Sequence, residues 1–230
     1  TDATNGIGIL LSNDATYDTI RNCTINLAAV TSTSTTNSAG IAASASITSP
    51  ATGGTTASYC VFEGNTILGG ATGGPYYGFA LYGTTGSVGC VSNKIINNTI
   101  TDFFNNGIRC NLTLGTEVTG NSLSRPTLTT AGTLEGIYFT GLANPKARIS
   151  KNRIFNSHGG NPASTSIVYA IDISSDGGSV TQPIDVYNNA IYNINNNGTA
   201  YGIYASGAFY SNYYHNSISL DNVAATGTTT

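Results

Sequence analysis

One recurring position in this 230-residue sequence carries side chains that are suited to binding sugars. It lies two residues after a small residue that precedes an apolar one, and its members are Gly8, Ala42, Ala80, Arg109, Tyr138, Asp172 and Tyr204. In the last four members, tyrosine rings could stack on sugars, and the arginine and carboxylate could bind hydroxyl groups. One interpretation is therefore a glycan-binding face, with Glu135 and loops 124–134 and 156–168 at its rim. The alternative is a solvated face with ordinary cross-strand pairs.

This position belongs to a repeat of about 30 residues that occurs seven times. Each repeat has an apolar residue, two free positions, a central residue, one free position and a second apolar residue. The central residue is Cys23 in the first repeat and asparagine in the other six, namely Asn65, Asn98, Asn121, Asn152, Asn189 and Asn216. A small residue followed by an apolar one precedes each centre, beginning with Gly6-Ile7. The two phrases alternate along the whole chain.

The repeat predicts three short strands and no helix, because its apolar residues follow strand periodicity between Gly-, Asn-, Ser- and Thr-rich linkers. A strand triplet cannot bury its own apolar face, so the repeats must stack, about 4.8 Å apart. The sequence therefore predicts an all-β, three-sheet parallel β-helix of about seven coils, right-handed by the rule for parallel crossovers. At a turn between two strands, the asparagine amides form an internal ladder.

A row of charges supports this register. The residues four positions before the centres of four successive repeats are Lys94, Glu117, Arg148 and Asp185. They alternate in sign, as stacked outward neighbours should.

The composition favours one extracellular domain. Charged residues make up 8% of the chain, and the net charge is -3 without runs of like charge. This balance provides no electrostatic surface for nucleic acid or an anionic membrane. No apolar stretch approaches the roughly 20 residues that span a bilayer, so we expect no membrane insertion. We expect residues 1–230 to form a single domain that is secreted or lies at the cell surface.

The cysteines and histidines do not have metal-binding spacing. We expect solvent-facing or turn positions for His158 and His215, and we expect no metal or other cofactor. Cys60 and Cys90 enter the second sheet in consecutive coils, so a disulfide between them is one interpretation. Free buried thiols are the other.

Several phrases resemble the parallel β-helix repeats of the pectin-lyase-like superfamily, and also β-helix regions of large secreted bacterial surface proteins. They are GIYFTG, ARISKNRIFN, VYNNAIYNI, GTAYGIYASG and YYHNSISL. The resemblance covers essentially the whole chain, and it implies substrate binding along the outer face of the sheet that carries the Gly-Ile phrase. The superfamily includes lyases, hydrolases, phage tailspikes and adhesins, so the fold alone does not decide the function.

An enzyme of this fold would need a further set of residues. Lyases require a Lys or Arg base with acidic residues that bind Ca²⁺, and hydrolases require two or three carboxylates close together. The eleven acidic residues are scattered singly, and the best available pair is Asp172 with Arg109. We therefore expect no catalytic residues and a non-enzymatic structural or adhesive module. The alternative is a lyase- or hydrolase-like enzyme, or a glycan-binding module, that uses the same face.

The ends of the sequence show no capping helix. The first strand phrase begins within six residues of Thr1, and a loop-like segment follows Leu220. Because open coils expose unpaired edges, we expect the domain to continue, either through flanking repeats or through head-to-tail stacking of copies into a filament. Polysaccharide is the other expected partner.

Overall fold

The computed structural model describes residues 5–84, 89–130, 132–141, 146–174 and 177–220. These residues form 23 strands and no helix. In chain order the strands are β1 (Gly6–Leu11), β2 (Ala15–Thr16), β3 (Thr19–Arg21), β4 (Thr24–Asn26), β5 (Ser38–Ala43), β6 (Ala57–Ser58), β7 (Val61–Glu63), β8 (Thr66–Leu68), β9 (Tyr77–Tyr82), β10 (Lys94–Ile96), β11 (Thr99–Thr101), β12 (Asn106–Asn111), β13 (Glu117–Thr119), β14 (Ser122–Ser124), β15 (Leu134–Thr140), β16 (Arg148–Ser150), β17 (Arg153–Phe155), β18 (Val168–Ser174), β19 (Ile184–Tyr187), β20 (Ala190–Tyr192), β21 (Ala200–Ser206), β22 (Ser211–Tyr214) and β23 (Ser217–Ile218). Accordingly, the part of the chain described has no helix that is long and apolar enough to cross a membrane.

The strands form three parallel sheets of seven strands each, and β2 pairs separately with β6. Sheet 1 contains β1, β5, β9, β12, β15, β18 and β21. Sheet 2 contains β3, β7, β10, β13, β16, β19 and β22, and sheet 3 contains β4, β8, β11, β14, β17, β20 and β23. Each coil contributes one strand to each sheet, and each strand pairs with its equivalent in the next coil. The predicted parallel β-helix of seven coils is confirmed.

The inward side chains of the three sheets share one apolar core. In coils four to six the core residues that occupy equivalent positions are Ile108, Ile137, Ile171, Val118, Ile149, Val186, Leu123, Ile154 and Ile191. Each is almost fully buried, and burying one such side chain stabilises the fold by about 1.5–3 kcal/mol. Most of this burial depends on the coils above and below, which is why the repeats stack.

The small residue of the second phrase is set by close packing between sheets 1 and 3. A Cβ atom on Gly40 would lie 2.6 Å from Ile67 Cδ1 and 2.7 Å from the carbonyl oxygen of Gly78. Both separations are too short, so a side chain at this position would push the strand off the core. Glycine therefore occupies this position in six of the seven coils, and the smallest side chain, that of Ala170, occupies it in the sixth coil.

The prediction for the first coil is wrong by two residues. Ile9, rather than Ile7, pairs with Ile41 and packs against the core. Ile7 instead packs on the outer face of sheet 1. The outward row of this sheet consequently begins with Leu10, which pairs with Ala42, and not with Gly8.

The predicted asparagine ladder is confirmed, as Asn152 illustrates. Its Oδ1 accepts hydrogen bonds from the backbone nitrogen of Asn121 at 2.9 Å and from Asn121 Nδ2 at 3.0 Å. Its own Nδ2 donates to Asn189 Oδ1 at 3.0 Å and to the Val118 carbonyl oxygen at 2.9 Å. Equivalent bonds link the six asparagines in succession. The ladder satisfies polar groups that would otherwise be buried without partners.

The predicted charge row also lies as expected. Lys94 pairs with Glu117, Glu117 with Arg148, and Arg148 with Asp185 along sheet 2. Within this row, Arg148 Nη1 lies 4.0 Å from Glu117 Oε1. Opposite charges therefore alternate on the outer face of the sheet, which supports the register.

Candidate ligand-binding face

The four candidate residues lie on four adjacent strands of sheet 1. Arg109 on β12 pairs with Tyr138 on β15, Tyr138 pairs with Asp172 on β18, and Asp172 pairs with Tyr204 on β21. Their side chains belong to the outer face, because the residues on either side of Arg109, Tyr138 and Asp172 are buried in the core, and Tyr204 pairs with Asp172 in the same row. The structure thus brings together the tyrosines, the arginine and the carboxylate that the repeat pattern aligns.

A second outward row lies beside the first and extends the chemistry of the face. In the same four strands it consists of Asn106, Glu135, Tyr169 and Tyr201. In β15 both Gly136 and Ile137 are buried, so the two outward positions are three residues apart instead of two. The repeat pattern predicts only Glu135 near the face, at its rim, and does not identify the other three. Glu135 lies within the face, directly beside Tyr169.

Arg109 is held among aromatic rings. Its guanidinium carbon lies 4.6 Å from the centroid of the Tyr138 ring and 5.7 Å from that of Tyr82. Its Nη1 donates to Asn106 Oδ1 at 3.4 Å, while its buried Nε has no hydrogen-bond partner among the described residues. These cation–π contacts fix the positive charge in one place. They also occupy one face of Tyr138, which is therefore a less open stacking surface than the pattern suggested.

Two carboxylates lie near this arginine, and both are unusually basic. Asp172 is 5% exposed and accepts a hydrogen bond from Ser174 Oγ at 2.5 Å. Burial raises the pKa of Asp172 to about 6, although Ser174 and Arg109 oppose the change. Burial also raises the pKa of Glu135, against the opposing effects of Arg109 and a hydrogen bond from Asn106 Nδ2. Desolvation is thus stronger at each carboxylate than the attraction to Arg109.

Three tyrosines form an aromatic cluster on the other side of Asp172. The rings of Tyr169 and Tyr201 stack with centroids 5.2 Å apart and planes 9° apart. The Tyr204 ring lies 5.0 Å from Tyr169 and 5.1 Å from Tyr201, at steeper angles. All three side chains are half-buried, so the cluster offers ring surface to a ligand while its stacking keeps the rings in place.

The face is closed in the earlier coils. There the outward row contains Ala42 and Ala80, which are completely buried. They pack with Tyr77 and Tyr82, and with Ala51 from the loop after β5. The open, polar part of the outer face therefore spans coils four to seven.

A buried arginine joins the loops along one side of the face. Arg125 is 1% exposed, and its Nε donates to the Ser157 carbonyl oxygen at 2.8 Å. Its Nη1 donates to the carbonyl oxygens of Phe104 at 2.8 Å and Gly132 at 3.2 Å, and its Nη2 lies 2.8 Å from His158 Nε2. These contacts connect three consecutive loops that lead from sheet 3 into sheet 1. The predicted rim loops are therefore organised by a side chain inside the fold.

The two histidines occupy the two kinds of position that were expected. His158 lies in a turn but is 2% exposed, whereas His215 is exposed. Burial and the adjacent Arg125 charge lower the pKa of His158 to about 3. The neutral ring accepts a hydrogen bond from Arg125, so it serves as a partner for a buried charge.

All four cysteines are free thiols, so the interpretation of Cys60 and Cys90 as a disulfide is wrong. The register explains why. Lys94 pairs with Val61, so the residue equivalent to Cys60 in the next coil is Asn93, not Cys90. Asn93 Oδ1 accepts the Cys60 backbone N–H at 2.9 Å, and its Nδ2 donates to Cys90 Sγ at 3.4 Å. Burial raises the pKa of both thiols, to about 11 for Cys90.

Within the described ranges, no group of three or more His, Cys, Asp or Glu side chains is arranged to hold a metal ion. No protein-family model, curated protein or solved structure matches the chain. We therefore infer the function of the face from its geometry. It combines an aromatic cluster, two carboxylates whose pKa values are raised by burial, and a guanidinium held among aromatic rings.

Proposed function

We propose that this chain is a non-enzymatic, extracellular structural module whose sheet 1 binds polysaccharide on its outer face. The observation that carries the proposal is the row of Arg109, Tyr138, Asp172 and Tyr204, with the Tyr169 and Tyr201 rings beside it. Polysaccharides present hydroxyl groups at their edges and apolar C–H surfaces on their rings. A rigid face that combines tyrosine rings with charged hydrogen-bonding groups matches both features.

The proposal includes membership of the pectin-lyase-like superfamily, as an adhesin-like and not a catalytic member. The parallel β-helix and its asparagine ladder support this assignment. Low charge and abundant Gly, Asn, Ser and Thr support a secreted or cell-surface location.

The experiment that tests glycan binding compares two tyrosine variants on immobilised polysaccharides. Tyr201→Ala removes one ring of the stacked pair beside Asp172. Tyr187→Ala is the matched control, because Tyr187 stacks on Tyr214 with centroids 4.9 Å apart and planes 4° apart, but on sheet 2. Loss of about 1 kcal/mol of ring stacking should weaken binding by Tyr201→Ala about fivefold. The control should bind like the wild type.

Equal losses in the two variants would contradict the proposed face. Failure of the wild-type protein to bind any of a broad set of plant, bacterial and animal glycans would contradict the proposed function.

A carbohydrate-active enzyme is the second candidate, and the raised pKa of Asp172 supports it. A carboxyl with a pKa of about 6 can act as a general acid near neutral pH, and Glu135 would be the second carboxylate that glycoside hydrolysis needs. Incubation of bound glycans with the protein, followed by detection of new reducing ends or unsaturated products, distinguishes the candidates. Products that disappear with Asp172→Asn would favour the enzyme.

We also propose that a further coil packs against the last described coil, as a head-to-tail copy or a flanking repeat. Tyr213 and Ile218 are strand neighbours of the buried Val186 and Ile191, yet they are 40% and 46% exposed. Covering such side chains is the driving force for stacking in a solenoid. Sedimentation at rising concentration tests self-stacking, which Ile218→Asp should abolish; a concentration-independent monomer would contradict it.

A further inference from the structure

The charges of the outer face of sheet 1 do not balance among its own side chains. Glu135 and Asp172 contribute two negative charges when ionised, and Arg109 is the one basic side chain among the described residues that acts on both. The remaining lysines and arginines all lie in sheet 2, sheet 3, turns or loops. With both carboxylates ionised, the cluster therefore carries one uncompensated negative charge.

Arg109 is held by contacts with side chains other than the two carboxylates. Its guanidinium is packed against the Tyr138 ring and approached by Asn106 Oδ1. The positive charge is thus part of the wall of the site, and the excess negative charge stays beside it.

Asp172 engages only one of its two carboxylate oxygens in a hydrogen bond with the described residues. Its side chain is 95% buried, as its 5% exposure implies, and Oδ1 is taken by Ser174 Oγ. No described residue donates a hydrogen bond to Oδ2. A ligand that brings both a donor and a positive charge would complete the hydrogen bonding of this carboxylate.

The surrounding rings favour an organic cation. Tyr204 is the strand neighbour of Asp172, and Tyr169 is the strand neighbour of Glu135. Tyrosine faces attract ammonium groups and pack against the rings of sugars. A cation carried by a sugar would therefore contact the carboxylates and the aromatic cluster together.

We propose that this face binds the primary ammonium group of an amino sugar. Asp172 and Glu135 accept hydrogen bonds from the ammonium group, and the rings of Tyr201 and Tyr204 pack against the sugar. The proposal rests on the proposed glycan binding and names its ligand class. Neutral and uronic acid polymers are the alternatives that the test must distinguish, since neither supplies the missing positive charge.

The test compares three oligosaccharides of equal length by isothermal titration calorimetry at neutral pH and physiological salt, where long-range attraction is screened. The probes are a glucosamine oligomer, its N-acetylated form and an oligogalacturonate. The glucosamine oligomer should bind about tenfold more tightly than the N-acetylated form, because acetylation removes the charge. Asp172→Asn and Glu135→Gln should each reduce this preference to about threefold or less.

Asp185→Asn is the matched control, because it removes one negative charge from sheet 2 and should keep the tenfold preference. Tyr201→Ala should weaken both neutral and charged oligomers. Equal binding of the glucosamine and N-acetylated forms, or tighter binding of the galacturonate, would overturn the amine assignment and leave glycan binding intact. Binding to none of the three probes or to any other glycan would overturn both. A preference that Asp185→Asn also removes would show a general charge effect and would overturn the assignment to Asp172 and Glu135.

Discussion

Replacing Asp172 with asparagine should stabilise the protein at neutral pH. Burial raises the pKa of Asp172 from the ordinary 3.8 to about 6, even with Arg109 nearby. At 1.36 kcal/mol per pKa unit, ionising this carboxyl costs about 3 kcal/mol more in the folded protein than in the unfolded chain. Asparagine has nearly the same shape, and its Oδ1 can still accept the Ser174 hydroxyl, so the variant avoids most of this cost.

The sign of the effect fixes its pH dependence. Because the folded protein binds the Asp172 proton more tightly than the unfolded chain does, the free energy of unfolding of the wild type falls as pH rises from about 4 to about 6. Above that range the loss is complete. Chemical unfolding at a series of pH values should therefore show Asp172→Asn more stable by up to about 3 kcal/mol above pH 7, and equal to the wild type near pH 3.5.

Asp185→Asn on sheet 2 is the control for the general effect of removing one negative charge from a chain of net charge -3. It should not reproduce the step between about pH 4 and 6 that belongs to Asp172. An equal step in both variants would refute the local explanation. An Asp172→Asn variant that is less stable above pH 7 would show that pairing with Arg109 outweighs burial, and would refute the reasoning entirely.

Three further predictions concern the core. Asn152→Ala should lower the free energy of unfolding by about 3–5 kcal/mol in chemical unfolding, because it leaves the buried polar groups of Asn121 unpartnered; a loss below about 1 kcal/mol would contradict the ladder. Gly107→Ala should lower the free energy of unfolding by about 1–3 kcal/mol, since the new Cβ would lie 2.6 Å from the Gly136 carbonyl oxygen. The matched Ala170→Gly should lower it by no more than about 1 kcal/mol. Equal effects of the two variants would be inconsistent with close packing. Thiol titration of the unfolded, unreduced protein should count four free cysteines, and fewer would indicate a disulfide.

The register of the fold could be predicted because the residue types that recur in every coil are required by specific contacts. An asparagine recurs where an amide must bond the coils on both sides, and a glycine recurs where sheet 1 meets sheet 3. The first coil could not be assigned from pattern alone, since GIGIL contains two equivalent Gly-Ile pairs. Contact of Gly8 with Ile25 decides between them, and that contact is visible only in the folded chain.

The candidate face could be predicted in part for a similar reason. The alternation of inward and outward residues along each strand predicts the row that contains Arg109 and Asp172. In each Gly-Ile phrase, however, two consecutive residues point inward, so the other outward position lies three residues before this row and not two. Tyr169 and Tyr201 were missed for that reason, although both directly precede the small residue of the phrase. The burial of His158 could not be foreseen, because its partner, Arg125, comes from the preceding coil.

The asparagine ladder also separates the pitch of the solenoid from the length of its turns. Successive ladder residues are between 23 and 37 positions apart in the chain, yet the side-chain bonds between them stay near 3.0 Å. Extra residues leave as surface loops, and each doubling of loop length costs only about 0.6 kcal/mol. Such a scaffold can gain or lose loop segments without re-registering its interior, so new surfaces could evolve, or be grafted by design, one coil at a time.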